Sequence, residues 1–248
     1  MAGSTRPTDA SSTEDQPHVG VLALQGAFRE HVRILRRLGA KVTEIRLPRD
    51  LEGLDGLVIP GGESTTMGLL LQEHELMEPL RKFVKTHPVF GTCAGLIMLA
   101  KQTTDGEQPL LQAMDITVRR NAFGRQPRSF EGPVELRLGA TGPTDAGGVP
   151  ATVATDEAGT APGAAREAAT CAPCDDFHGI FIRAPWVEEV GPGVEVIARC
   201  GDHIVGVRQG QMMGVAFHPE LSDDVRLHEY FLEMVRARRV RPGRVKAR

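Results

Sequence analysis

Apolar and polar residues follow two different periods in the first hundred residues of the chain. Short apolar runs of strand length alternate with stretches whose apolar residues recur every three or four positions. The predicted strands are His18–Leu24, Lys41–Leu47 and Gly56–Ile59; a helix is predicted at Ala27–Leu38, and Thr65–Thr86 is predicted to be largely helical. This strand–helix alternation indicates a parallel sheet that is covered by helices on both faces.

The second half of the chain is richer in strands. They are predicted at Ile116–Arg120, Val134–Leu138, Ile180–Ala184, Val194–Cys200, His203–Gln209 and Met212–Phe217. Gly201-Asp202 and Gly210 mark hairpin turns between the last three strands. A final helix is expected over Asp223–Arg239. The expected fold class is therefore α/β, a three-layer flavodoxin-like or Rossmann-like mixed sheet with helices on both faces.

Three segments depart from this pattern. Residues 1–17 are polar and are typical of a disordered N-terminal extension. Gly139–Asp176 is rich in Ala, Gly, Thr and Pro, which predicts an inserted loop within one domain over residues 18–240. Residues 241–248 end a basic tail without aromatic residues, for which a solvated end is favoured over contact with nucleic acid or with an acidic partner surface.

Composition sets few further limits. With 248 residues, 41% of them hydrophobic, and a net charge of −3, the chain is long enough for one domain with a sizeable core. No run approaches the ~18 apolar residues that cross a membrane, and a cytoplasmic protein with reduced thiols is expected. Cys171-Ala172-Pro173-Cys174 has the spacing of half a metal or redox site, but two loop cysteines are favoured and no metal is expected.

The most informative local pattern surrounds Cys93. An apolar run, Val89-Phe90, leads into Gly91-Thr92-Cys93-Ala94-Gly95, and an apolar helical pattern follows. This predicts a strand–turn–helix with the thiol at the helix N-terminus, where the partial positive charge favours the reactive thiolate. A buried structural cysteine at a tight turn is an equally good interpretation of this stretch alone.

Two further stretches add candidate chemistry. His218-Pro219-Glu220 follows a predicted strand, and residues i and i+2 of an extended segment point the same way, so Glu220 is expected to orient the His218 imidazole. A cysteine with such a histidine forms an activated nucleophile. In Pro60-Gly61-Gly62-Glu63-Ser64-Thr65, a buried strand meets a helix with Ser64 or Thr65 as the expected N-cap, and the backbone amides of the Gly-Gly turn could stabilise an oxyanion.

These stretches together resemble a known family. Gly-Gly-Glu-Ser-Thr-Thr, Gly-Thr-Cys-Ala-Gly-Leu and Phe-His-Pro-Glu-Leu resemble the triad glutamine amidotransferases, and more closely the glutaminase subunits of pyridoxal 5′-phosphate synthase. Supporting stretches start at Leu22, Arg120 and Gly179, and Leu96 suits the vitamin B6 branch of the family. The resemblance runs from about Val19 to Met234 with one interruption.

The resemblance implies a reaction and a site. Cys93 would attack the side-chain amide of L-glutamine, with His218 as acid and base and Glu220 as its partner. The glutamine-binding residues that the resemblance implies are Gly62, Glu63, Ser64, Arg120, Ile182 and Arg183. Arg120 suits the α-carboxylate, because a guanidinium can bind a carboxylate through two hydrogen bonds.

The resemblance also implies the partners. Ammonia would pass to a synthase (lyase) subunit in a hetero-oligomer that makes pyridoxal 5′-phosphate, which is then a product and not a cofactor of this chain. No cofactor is expected. Three alternatives stay open on the residues alone: a peptidase or deglycase with a Cys-His elbow, an amidotransferase subunit of a different pathway, and a non-catalytic regulatory subunit.

Overall fold

The computed structural model describes residues 16–122, 129–139 and 174–240. Its strands are β1 His18–Leu22, β2 Lys41–Ile45, β3 Gly56–Ile59, β4 Val89–Thr92, β5 Ala100–Thr103, β6 Met114–Arg119, β7 Ser129–Leu136, β8 Cys174–Ile182, β9 Trp186–Val190, β10 Glu195–Cys200, β11 His203–Gln209 and β12 Met212–Val215. Its helices are α1 Phe28–Arg37, α2 Ser64–Glu73, α3 Met77–Phe83, α4 Ala94–Leu99 and α5 Arg226–Val240.

One mixed sheet organises the molecule. Its main path runs β2-β1-β3-β4-β12-β11-β10-β7-β8, and β9 joins the pair β5-β6 to β11. The first five strands of the path are parallel, and the rest of the path is antiparallel. All residues of β3 and β4 are buried, as expected for parallel strands with helices on both faces. The carboxyl ends of β3, β4 and β12 therefore lie side by side.

Successive residues of β4 show the three layers. The Phe90 ring contacts His31 of α1 and Phe231 of α5, with ring centroids 6.2 and 5.9 Å apart. Gly91 faces the other side, where an added Cβ would meet the backbone of Gly95 in α4. Helix α2 packs against α4. Helices therefore cover both faces of the sheet, and the predicted fold class is confirmed.

Most predicted elements are present with shifted ends. The strands predicted at Gly56–Ile59 and His203–Gln209 have the observed bounds, and both predicted hairpin turns connect antiparallel strands. The stretch Thr65–Thr86, predicted to be largely helical, contains two helices, because Glu75 turns with φ +57° and separates α2 from α3. The prediction missed β5 and β9.

Several predicted segments lie outside the described residues. These are most of the extension 1–17, the insertion between residues 140 and 173 with Cys171, the tail 241–248, and the continuation of the Arg120 motif beyond residue 122. The end of the predicted insertion is described: β8 begins at Cys174, so the last three residues of that predicted loop belong to a strand. The domain bounds stay a prediction.

Candidate active site

Cys93 occupies a sharp turn between β4 and α4. Its backbone has φ +47° and ψ −101°, a conformation that is rare for any residue with a side chain. Its N–H donates to the Val215 carbonyl at the end of β12, at 2.8 Å, and the residue is 6% exposed. Glycine is needed beside it, because a Cβ on Gly95 would collide with the Ile59 carbonyl. The fold therefore holds the thiol at the carboxyl edge of the parallel strands.

His218 and Glu220 reach the same edge through the segment that follows β12. The His218 N–H donates to the Ile180 carbonyl at 2.8 Å, and its Nδ1 lies 2.7 Å from Glu220 Oε1. The predicted contact is present, but the predicted extended backbone is wrong: Pro219–Leu221 is a single 3₁₀ turn. That turn brings the carboxylate back beneath the imidazole.

The Cys93 and His218 side chains lie against the same residue, Gly61, and interact with each other. Burial of His218 disfavours its charged form, but the hydrogen bonds and charges of Cys93 and Glu220 outweigh this cost and raise the pKa of His218 to about 10. The imidazole therefore carries its proton near neutral pH. A protonated imidazole beside a candidate nucleophile can act as a proton donor.

Gly61 closes the space beside these two side chains. A Cβ there would collide with His218 Cε1, would lie 2.9 Å from His218 Nδ1, and would be 3.4 Å from the Cys93 Cβ. Only a residue without a side chain fits. The Gly61 carbonyl accepts from the Ala27 N–H at 3.3 Å, so the following N–H, that of Gly62, points to the opposite side.

Glu63 caps α2, which corrects the N-cap predicted at Ser64 or Thr65. Its carboxylate accepts from the backbone N–H groups of Thr65 at 3.1 Å and Thr66 at 2.6 Å. Burial raises the pKa of Glu63, but its hydrogen bonds to Thr66 and Thr65 outweigh burial and lower it. Ser64 cannot cap because it is the first helical residue, and its buried hydroxyl donates to Gln108 Oε1 at 3.2 Å.

Arg120 is already bound within the protein. Its Nε donates to Asp105 Oδ2 at 3.0 Å and its Nη2 to the Asp105 carbonyl at 3.0 Å. Both hydrogens of Nη1 are used, by Thr65 Oγ1 at 3.1 Å and Gln108 Oε1 at 2.8 Å. The second hydrogen of Nη2 makes no hydrogen bond to any of the described residues, so it is available to a substrate. Two-point binding of a substrate carboxylate would therefore require one of these bonds to break.

Ile182 and Arg183 lie at the end of β8, close to the thiol. The Ile182 carbonyl is 3.9 Å from Cys93 Sγ, and its side chain is 38% exposed. Arg183 is exposed and turns the chain with φ +46°. The structure thus brings together Cys93 and Ile182, while Arg183 extends from the same strand end.

Gln25 was missed by the sequence prediction. Its side-chain amide makes two hydrogen bonds to the backbone of Glu63, donating to the carbonyl at 2.9 Å and accepting from the N–H at 3.2 Å. It therefore fixes the backbone that directly follows the Gly-Gly turn, at the N-cap of α2. The available signal was its position just after β1, at the same sheet edge as the other motifs. Asp105 and Gln108, which hold Arg120, carry no comparable sequence signal.

The described residues contain no group of three or more His, Cys, Asp or Glu side chains placed to hold a metal ion. The polar side chains at this edge are instead arranged around the thiol and the imidazole. The site can therefore supply a nucleophile, a proton donor and acceptor, and backbone amides, which is the set that an acyl transfer needs.

Comparison with known proteins relates this arrangement to others. The model of the SNO glutamine amidotransferase family matches residues 21–141 and 165–237. The pyridoxal 5′-phosphate synthase subunit PdxT of Geobacillus kaustophilus (strain HTA426) is 48% identical over 219 residues, which cover 88% of this chain and 94% of that protein. The PdxT subunit of Parafrankia sp. (strain EAN1pec) is 47% identical over 224 residues, 89% and 94% of the two chains.

A solved structure is similar as well. The crystal structure of a glutamine amidotransferase is 44% identical, covers 88% of this chain and 98% of its own, and superposes with a TM-score of 0.70. The family match includes Cys93, His218 and Glu220 and leaves residues 142–164 unmatched. Those unmatched residues fall within the predicted insertion.

Proposed function

Since the chain belongs to the SNO glutamine amidotransferase family, we propose that Cys93, His218 and Glu220 are its catalytic triad. The chain is the glutaminase subunit of pyridoxal 5′-phosphate synthase: it hydrolyses L-glutamine to L-glutamate and ammonia. It supplies the ammonia to the synthase subunit for vitamin B6 biosynthesis. The peptidase, the regulatory subunit and the amidotransferase of another pathway are not supported by these relatives.

The observation that carries the triad is the buried contact series from thiol to imidazole to carboxylate. The Cys93 thiolate attacks the amide carbon of the glutamine side chain and forms a tetrahedral intermediate. When the carbon–nitrogen bond breaks, protonated His218 gives its proton to the leaving nitrogen, which departs as ammonia. A water molecule then attacks the thioester while His218 accepts a proton, and glutamate leaves as the thiolate is restored. Glu220 stabilises the charged imidazole throughout.

Backbone amides would stabilise the oxyanion of both tetrahedral intermediates. The candidates are the N–H of Ala94, at the start of α4, and the N–H of Gly62. The hydrogen bond from Ala27 to the Gly61 carbonyl supports the second candidate, because it fixes the orientation of the Gly61–Gly62 peptide. Gln25 supports it further by holding Glu63.

The glutamine-binding assignment of Gly62, Glu63, Ser64, Arg120, Ile182 and Arg183 remains part of this proposal. The position of the Ile182 carbonyl beside Cys93 supports a role for its backbone. The Glu63 side chain caps α2 and the Ser64 side chain contacts Gln108, which supports a structural role for these two side chains. For Arg120 the geometry supports one hydrogen bond to the substrate carboxylate from the remaining Nη2 hydrogen, with the guanidinium held in place by Asp105.

A cytoplasmic location stays a prediction. Within residues 16–122, 129–139 and 174–240, the helices are all too short or too polar to cross a membrane.

The test of the triad is ammonia and glutamate release by the complex with the synthase subunit. Cys93→Ala should lower kcat by about 10⁴-fold or more, because no other nucleophile replaces the thiolate. Cys200→Ala is the matched control, since Cys200 is a half-buried thiol in β10, and its kcat should stay within about 2-fold of wild type. A folded Cys93→Ala complex with near-normal kcat would refute the triad. Omission of the synthase subunit should lower the rate in wild type.

A further inference from the structure

Glu220 has a second carboxylate oxygen that the triad does not use. The Glu220 side chain is fully buried, and Oε1 accepts from His218. The other oxygen, Oε2, has no hydrogen bond from any residue in the described part of the chain. A buried anionic oxygen is costly unless a donor faces it. The group that faces Oε2 therefore affects the orientation of the carboxylate, and with it the contact between Oε1 and His218.

The imidazole of His31, from α1, faces this oxygen. Its Nε2 lies 3.4 Å from Glu220 Oε2 and 3.1 Å from Thr92 Oγ1. Its Nδ1 lies 2.9 Å from Nε2 of His228, which comes from α5. Both histidines are 0% exposed. Two helices thus place two buried imidazoles in series behind the carboxylate.

The hydrogen positions follow from the contacts. If His31 carried its hydrogen on Nδ1, it would donate to His228 Nε2, and His228 would carry its own hydrogen on Nδ1. That Nδ1 is buried and has no partner among the described residues, so the N–H would be unpaired. A bare His31 Nε2 would also direct its lone pair at the Glu220 carboxylate.

The opposite arrangement avoids both the unpaired N–H of His228 and the lone pair of His31 directed at the carboxylate. His228 Nε2–H then donates to His31 Nδ1, and His31 carries its hydrogen on Nε2, directed at Thr92 Oγ1 and Glu220 Oε2. No N–H of the two rings is left unpaired. The hydrogens of His228, His31 and His218 then all point toward Glu220.

Both rear histidines are neutral. Burial, followed by the nearby His228 and His218, lowers the pKa of His31 well below 6.5, and burial with Arg37 lowers that of His228 to about 4. The groups that face His31 are Glu220, His228 and Thr92, with the edge of the Phe90 ring beside them. A neutral His31 therefore does not neutralise the Glu220 carboxylate, whose negative charge still acts on His218. The N–H dipole of His31 can orient this carboxylate.

We propose that His31, backed by His228, is a positioning residue that holds the Glu220 carboxylate in the orientation that keeps His218 protonated beside Cys93. The proposal rests on the glutaminase function and on the triad. Loss of the His31 N–H that faces Oε2 from 3.4 Å lets the carboxylate rotate away from His218. The imidazolium is then less stable, so the thiolate–imidazolium pair exists over a narrower range of pH.

The test compares His31→Phe with His31→Gln in the complex with the synthase subunit. The Phe variant removes the donor, and kcat should fall roughly 10-fold while KM stays within about 2-fold. The alkaline limb of the kcat/KM profile should move about one unit lower, because His218 loses its proton more readily. Alkylation of Cys93 by iodoacetamide, followed on its own peptide, should begin at higher pH. The Gln variant keeps an N–H donor and should recover part of each effect.

Leu35→Ala is the matched control. Leu35 is buried one turn further along α1 and has no hydrogen-bonding side chain, so this variant should lower the melting temperature without moving the alkaline limb. If Leu35→Ala moves the limb as far as His31→Phe, or if folded His31→Phe leaves kcat and the limb unchanged, the proposal is overturned. Should the Phe variant not fold, His31→Asn replaces it: the shorter amide should shift the limb relative to His31→Gln, and equal limbs would overturn the proposal.

Failure of the proposed function would be distinct from failure of this inference. It would show as no ammonia release by the wild-type complex. The alkylation profile of Cys93 needs no substrate and would still report on His31.

Discussion

The two sides of the active site differ in how the fold holds them. On the catalytic side, Cys93, His218 and Glu220 are 6%, 7% and 5% exposed, and backbone hydrogen bonds to neighbouring strands fix the first two. On the proposed substrate side, Glu63, Ile182 and Arg183 are exposed and lie at strand or helix ends. The proposed triad is therefore built into the sheet, while three of the proposed glutamine-binding residues lie at its rim.

Gly61→Ala should have the largest effect that is not at the triad itself. The new methyl group would collide with the His218 ring and crowd Cys93, so the ring must move. Displacement by about 1 Å lowers kcat by about 100-fold or more. Gly139→Ala is the control, because a Cβ there meets nothing within 4 Å, and its kcat should match wild type. Steady-state kinetics of both variants measure this effect. An unchanged kcat in Gly61→Ala would show that the His218 ring can accommodate the added methyl group without losing its catalytic position.

Glu220→Gln should have the next largest effect, roughly a 10- to 100-fold fall in kcat, less than the loss of the nucleophile. The amide oxygen can still accept from His218, but the negative charge that helps raise the pKa of the imidazole is gone. The alkaline limb of the kcat/KM profile should therefore move to lower pH. A pH–rate profile with the wild-type limb would contradict the role of Glu220. The exposed Glu131→Gln variant on β7 should keep the wild-type profile.

Arg120→Lys tests the substrate side. Lysine cannot reproduce the planar set of hydrogen bonds that Arg120 makes, so the group that we propose faces the substrate carboxylate would move. We expect KM for glutamine to rise about 10-fold while kcat changes less than about 3-fold. Arg119→Lys, on the neighbouring exposed residue of β6, should change neither. A fall in kcat without a rise in KM would place Arg120 on the catalytic side of the comparison.

The buried histidines behind the triad should make the fold sensitive to acid. The pKa of His228 is lowered by burial from 6.5 to about 4, so the unfolded chain binds a proton there that the native chain does not. The free energy of unfolding should therefore fall as pH drops through that range, by about 3 kcal/mol from this group. Urea unfolding between pH 7 and about 4 measures it. His228→Gln should flatten the fall, and the exposed His178→Gln should not; equal slopes would show that His228 is protonated in the native state.

The catalytic side was largely predictable from sequence because its residues follow buried apolar strands directly. A buried strand leaves little freedom for the residue after it, so Cys93 and His218 could be assigned to one edge. The contact between His218 and Glu220 was predicted from the wrong backbone: the proline begins a 3₁₀ turn. The predicted N-cap was wrong because cap preferences favour Ser and Thr, whereas the longer Glu63 side chain reaches two N–H groups.

The remaining features depend on contacts between distant parts of the chain. The strands β5 and β9 are partly exposed and lack a clear apolar alternation, so only their partners β6 and β11 reveal them. Gln25, His31 and His228 acquire their roles from partners 38, 61 and 197 positions away in sequence. In a single sequence, a histidine on an apolar helix face is interpreted as an ordinary core residue. No local pattern distinguishes a histidine that contacts a carboxylate from one that only packs.

Trapping an acyl-enzyme would show whether Cys93 is the nucleophile. The complex with the synthase subunit is mixed with L-glutamine, quenched in acid during turnover, digested, and its peptides are mapped by mass spectrometry. We predict a glutamyl thioester on the peptide that contains Cys93, which accumulates in Glu220→Gln if deacylation slows and is absent in Cys93→Ala. Glutamine turnover with the adduct on another residue, or with Cys93→Ala still active, would contradict the account.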